Sequence, residues 1–110
     1  MNIDFLVPGI SKCGTTTLCY LLGEHPQLFI PAIKEPHHFN RTDMIENRAN
    51  YEELFRGAQA GQLLGEGSQM YSADEFGDLV SARLALENPQ MKLIFCVRNP
   101  LKRIESSYRE

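Results

Sequence analysis

The chain lacks any apolar run approaching the about 18 residues that a membrane span requires, and its opening MNIDFLVPG lacks the basic and apolar regions of an export signal. A cytoplasmic location with no membrane partner is the expectation. Cysteine is scarce: Cys13, Cys19 and Cys96 make an odd number without metal-ligand spacing, which argues against both a disulfide framework and a zinc site. No metal is expected. Basic residues are not in excess either. A formal net charge of -3 leaves no face on which to collect the phosphates of a nucleic acid, so any phosphate site must be local. Nor is there an internal repeat, a low-complexity tract or a linker, so the 110 residues read as one domain, 1–110.

What is present has the composition of an ordinary globular domain, 43% hydrophobic and 23% charged. Ile3 to Val7 is a short apolar run stopped by Pro8 and Gly9. After Gly14, the segment TTTLCYLLGEH carries leucines 18, 21 and 22 in helical spacing, so the start of the chain reads as strand, glycine loop, helix. Leu28 to Ile30 reads as a brief strand, Ala49 to Phe55 as a short exposed helix, and Leu63 to Glu66 as another short apolar segment. Ser72 and Glu75 form a capping-box signature ahead of the stripe Phe76, Leu79, Val80, Leu84, which predicts a helix over about 73–87. Lys92 to Val97 is a continuous apolar run of the type buried on both faces of a parallel sheet, and Asn99-Pro100 opens a last helix. Strands alternating with helices imply an α/β fold, a mostly parallel sheet flanked by helices, with ligands at the carboxyl ends of the strands.

The loop Gly9-Ile-Ser-Lys-Cys-Gly14-Thr15-Thr16 has the glycine spacing of a P-loop, in which main-chain N–H groups and the following helix surround a phosphate. Its lysine is misplaced for an ATPase or GTPase. Such loops put Lys directly after the second Gly, where Thr15 stands here, whereas Lys12 lies inside the loop. From there its ammonium can sit over a 5'-phosphate and the group attached to it, while the hydroxyls of Thr15, Thr16 and Thr17 hold phosphate oxygens. Cys13 is read as filling a variable loop position, the alternative being a reactive thiol near a helix start.

This P-G-x-x-K-x-G-T-T pattern resembles the 5'-phosphosulfate loop of the sulfotransferases that use 3'-phosphoadenosine-5'-phosphosulfate (PAPS), particularly the carbohydrate and heparan type and related bacterial enzymes. The segment KLIFCVRNPLKRIESSY is similar to the family's 3'-phosphate motif and places Arg98 and Ser106 at its matching positions. Two motifs in the right order account for both ends of PAPS. The resemblance implies cofactor-binding roles for Lys12, Cys13, Gly14, Thr15, Thr16, Thr17, Arg98 and Ser106.

Lys34-Glu35-Pro36-His37-His38-Phe39 resembles the segment that holds the general base in those enzymes. In-line sulfuryl transfer to an alcohol needs a base for the acceptor and positive charge on the leaving phosphate. The resemblance thus implies Glu35 as base and Lys12 as leaving-group stabiliser, with His37 assisting or acting as the base itself. Gly65-Glu66-Gly67-Ser68-Gln69-Met70-Tyr71 resembles an acceptor-side segment, but Gly67 stands where many relatives have lysine. Glu66 and Ser68 are read either as site residues or as buried caps.

A sulfate-accepting small molecule or carbohydrate is the implied partner. Family members are usually more than twice as long, so a fragment is expected here, incomplete at its carboxyl end, with a partner chain or further segment covering apolar sheet. Transfer of sulfate from PAPS to a hydroxyl or amine is the first reading. A truncated sulfotransferase-like module that binds nucleotide or a partner without turnover is the alternative. A divergent nucleoside kinase is disfavoured because Arg98 follows KLIFCV where a Walker B acid would stand.

Overall fold

A computed structural model describes residues 1–9, 14–32, 35–68, 71 and 77–96. In chain order it holds β1 (Phe5–Gly9), α1 (Thr15–Gly23), β2 (Leu28–Phe29), α2 (Arg48–Glu53), β3 (Leu63–Gly67), α3 (Gly77–Glu87) and β4 (Lys92–Phe95). The strands form a four-stranded sheet in the order β2-β3-β1-β4, every pairing parallel. That is the α/β architecture the alternation of apolar runs implies. Phe5 sits opposite Gly65 and Lys92, Leu6 opposite Glu66 and Leu93.

β1 lies between two neighbours, and all five of its residues are buried. It also runs further than the apolar run suggests, through Pro8 to Gly9. The cost is visible in the ladder to β4, whose register shifts between Leu6 and Gly9, around the residue that has no N–H to donate.

The period-two alternation of strands gives the sheet two different faces. On the α1 side, Gly67 lies against the Cys19 thiol and Val7. On the opposite side, Leu6 joins Ile3, Phe39, Tyr51, Phe55, Tyr71 and Val80 in the main apolar core. Burying the aromatic members of this cluster contributes about 1.5–3 kcal/mol for each fully buried side chain. Their rings meet mostly edge to face, as between Phe39 and Tyr51 at 5.6 Å and Tyr51 and Phe55 at 5.3 Å.

Two expectations are corrected. The helix read over Ala49 to Phe55 spans Arg48–Glu53 and is not simply exposed, because Tyr51 and the following Phe55 are core residues. The strand β4 is not buried on both faces: Leu93 and Phe95 are 48% and 51% exposed, and among the described residues β4 is paired on one side only. On α1, Leu21 is exposed and no residue is fully buried. The predicted helix over 73–87 is described from Gly77, and the capping-box residues Ser72 and Glu75 lie outside the described residues.

Candidate functional site

Because β1 and β3 run parallel, the segments that follow them leave the same end of the sheet. There a cavity of about 510 Å³ opens, lined by Thr15, Thr16, Thr17 and Cys19 of α1, Ile30 to Ala32, Glu35, and Gly67 of β3 among others. The start of α1 is set by Gly14, whose φ of 84° is left-handed backbone that costs glycine nothing. No acidic residue stands in the first turn of α1, so that turn adds no negative charge to the positive end of the helix dipole. Three threonines at a helix amino-terminus lining one cavity are a residue set suited to anion oxygens.

Glu35 reaches this cavity from an unusual backbone. It precedes Pro36, which closes the right-handed helical region to it, and it takes a φ of 52°; His37 follows at 53°. Left-handed backbone costs a residue with a side chain about 1–2 kcal/mol, so two such residues in three persist only where surrounding contacts impose them.

Those contacts come from two residues that follow β3, Ser68 and Tyr71. The His37 N–H donates to Ser68 Oγ at 2.9 Å, and the Phe39 N–H to the Tyr71 hydroxyl at 3.2 Å. Each accepting hydroxyl in turn donates to the Glu66 carboxylate, Ser68 at 2.7 Å and Tyr71 at 2.6 Å, and the Tyr51 hydroxyl adds a third bond at 2.8 Å. Glu66 is 1% exposed and Ser68 wholly buried. Burial pushes the Glu66 carboxyl above its usual range, opposed by the hydroxyl donors and reinforced by the charge of Glu35. Burial and the neighbouring Glu66 charge likewise raise both tyrosines, so their phenols stay protonated. The carboxylate thus has every one of these hydroxyl hydrogens aimed at it.

The two histidines differ. The His37 ring lies edge-on to Tyr71 at 6.4 Å, outside the cavity lining, and its Nδ1 is buried without a hydrogen-bond partner. His38 is stacked on Tyr51 at 4.0 Å, its Nδ1 facing the Asn47 amide at 3.2 Å. Burial, helped by the charge of Arg48, lowers the His38 pKa to about 4, so the ring is neutral.

Of the residues singled out from the sequence, Thr15, Thr16, Thr17 and Glu35 line one cavity, with Gly14 at its helix start. His37 is on the same segment but not in the lining. Glu66 and Ser68 face the core, and it is Gly67 between them that lines the cavity. Lys12, Cys13, Lys34, Arg98 and Ser106 lie outside the described residues. Sequence reasoning missed Tyr51 and His38, whose meeting joins segments that share no motif. Among the described residues no cluster of three or more His, Cys, Asp or Glu is placed to hold a metal ion, and no helix is long and apolar enough to cross a membrane.

A family model described as the sulfotransferase domain matches residues 2–110. The chain is 33% identical over 107 residues to the membrane-associated sulfotransferase kil1 of Dictyostelium discoideum, a match that covers 96% of this chain and 22% of that protein. The crystal structure of a sulfotransferase from Alicyclobacillus acidocaldarius matches with a TM-score of 0.82 at 29% identity, covering 99% of this chain and 49% of that one. The chain therefore spans about half the length of the solved relative and about a fifth of the curated one.

Proposed function

The chain belongs to the sulfotransferase family, and on that premise we propose that it takes part in moving a sulfuryl group from PAPS to a hydroxyl or amine of a carbohydrate or other metabolite. The observation that carries this reading is the shared cavity: the hydroxyls of Thr15, Thr16 and Thr17 and the carboxylate-bearing Glu35 line it together. An anion site and a base within one cavity is the pairing that sulfuryl transfer needs.

The residues fit the donor. The first turn of α1 carries hydroxyls and no acidic side chain, so Gly14 and Thr15 to Thr17, with Lys12 and Cys13 of the loop before them, would hold the 5'-phosphosulfate. Arg98 and Ser106 would hold the 3'-phosphate. When bound, PAPS supplies an activated sulfuryl group attached to its 5'-phosphate. Glu35 would take the proton of the acceptor as its oxygen or nitrogen attacks sulfur, and Lys12, in the role the family resemblance gives it, would offset the charge that gathers on the departing phosphate. No step is assigned to His37, whose ring lies against Tyr71 outside the cavity lining.

The test is calorimetric titration of the full-length protein with adenosine 3',5'-bisphosphate, with Mg-ATP as control. Binding in the micromolar range, about -8 kcal/mol, absent for Mg-ATP and lost in Arg98→Ala, is the expected result. Preference for Mg-ATP, or binding indifferent to Arg98→Ala, would overturn the nucleotide assignment.

A further inference from the structure

The hydroxyl network under the cavity is larger than a cap requires. Glu66 belongs to β3 and points away from the cavity, yet two of the three hydroxyls it gathers, Ser68 and Tyr71, hold the main chain of the segment that carries Glu35. Main-chain N–H groups at alternate residues, 37 and 39, are anchored from below, while Glu35 and His37 hold left-handed backbone between β2 and α2. A hydroxyl rotates freely unless its hydrogen has a destination. With the carboxylate in place, the Ser68 and Tyr71 hydrogens point at Glu66 and their lone pairs are presented to the two N–H groups.

We propose that Glu66 is a positioning residue for this site: by fixing the direction of the Ser68 and Tyr71 hydroxyls it holds residues 35–39 in the backbone that presents Glu35 to the cavity. The catalytic half of this statement rests on the reading of Glu35 as the base; the anchoring half does not. Tyr51 serves the same network, since its hydroxyl occupies the remaining approach to Glu66 Oε2 while its ring supports His38. An error of about 1 Å in a base is enough to cost on the order of a hundredfold in rate, which is why a group that never meets substrate can matter to turnover.

The test compares the full-length wild type with Glu66→Gln, Ser68→Ala and Tyr71→Phe. Glu66→Gln keeps the side-chain volume but turns one acceptor into a donor facing hydroxyl hydrogens; Tyr71→Phe removes a single oxygen and is the variant least able to disturb folding. Two quantities are read: amide hydrogen exchange over residues 35–40, with β1 as the internal standard, and steady-state sulfuryl transfer. The expected outcome is exchange of the 37–39 amides at least about tenfold faster in all three variants with β1 unchanged, and kcat lower by about 10- to 100-fold with the KM for PAPS within about twofold, the range seen for groups that orient a reacting side chain. Unchanged exchange at 37–39, exchange rising equally in β1, or a loosened segment with full kcat would each overturn the proposal. A wild type that binds no PAPS and transfers no sulfate would instead remove the function proposed above, and the exchange result alone would then decide whether Glu66 anchors this segment.

Discussion

A side chain at position 67 and the thiol of Cys19 compete for one space: a Cβ built on Gly67 lies 2.6 Å from Cys19 Sγ. The absence of a side chain from this strand position is therefore a packing requirement of α1 on the sheet. The Cβ of a lysine at position 67 would meet the same Cys19 thiol.

Gly67→Ala should destabilise the protein by about 1–3 kcal/mol, the usual range for overpacking a filled site. Cys19→Ala introduced alongside it should return most of that loss. Urea midpoints of the four members of the cycle measure the coupling, and simple additivity of the two substitutions would show that the contact is relieved in some other way.

The same thiol should be slow to react. Burial, with the neighbouring charges of Cys96, Glu66 and Glu35, pushes the Cys19 pKa to about 11, so little thiolate exists near neutrality. Alkylation by iodoacetamide at about pH 8, followed by peptide mass spectrometry, should modify Cys19 on the order of a hundredfold more slowly than a small-molecule thiol. Labelling of Cys19 in native protein at the small-molecule rate would contradict its burial against Gly67.

His38 should give the fold an acid limit. Its folded pKa of about 4 lies below the ordinary 6.5, so the unfolded chain binds the proton more tightly. Stability from the neutral ring is complete above 6.5 and is lost as the pH falls from there through 4, a total of about 3 kcal/mol. Glu66 acts with the opposite sign, since a raised carboxyl favours the folded state below 4.5 and loses that advantage as the pH rises. Denaturation of wild type and His38→Phe across this range separates the two, because Glu66 is common to both. Parallel pH profiles would sink the assignment.

Glu87 fastens the beginning of the chain. Its carboxylate accepts from Arg48 Nη1 at 2.8 Å, from Arg48 Nη2 at 3.2 Å and from the Ile3 N–H at 3.1 Å, joining α3 to α2 and to the approach to β1. With the Glu87 side chain only 10% exposed, Glu87→Ala should cost about 1.5–3 kcal/mol, the range for hydrogen bonds to a charged group. Retained thermal stability would mean that Arg48 finds Glu52 sufficient.

Much of the fold is legible in the residues. The apolar runs Ile3 to Val7 and Leu63 to Glu66 fall in β1 and β3, the leucines after Gly14 announce α1, and the glycine spacing raises the expectation of an anion site between β1 and α1. What escapes has identifiable causes. β4 is the same apolar run whether it is central or at an edge, because hydropathy counts the strand and not its neighbours. The six residues of α2 are too few to show a helical period, so the burial of Tyr51 leaves no trace. Glu66 within Gly-Glu-Gly cannot be assigned to the interior without Tyr51 and Tyr71, whose approach is created only by folding. The candidate base Glu35 is visible as chemistry, while the hydroxyls beneath its segment are visible only as geometry.

The pairing of β1 with β3 joins residues sixty positions apart, as between Phe5 and Gly65. No local piece of the chain can therefore build the cavity by itself, and the entropy of closing this loop must be met before any of its contacts return free energy. A chain halted before β3 would lack Gly67 from the cavity lining and Glu66, Ser68 and Tyr71 from beneath residues 37–39.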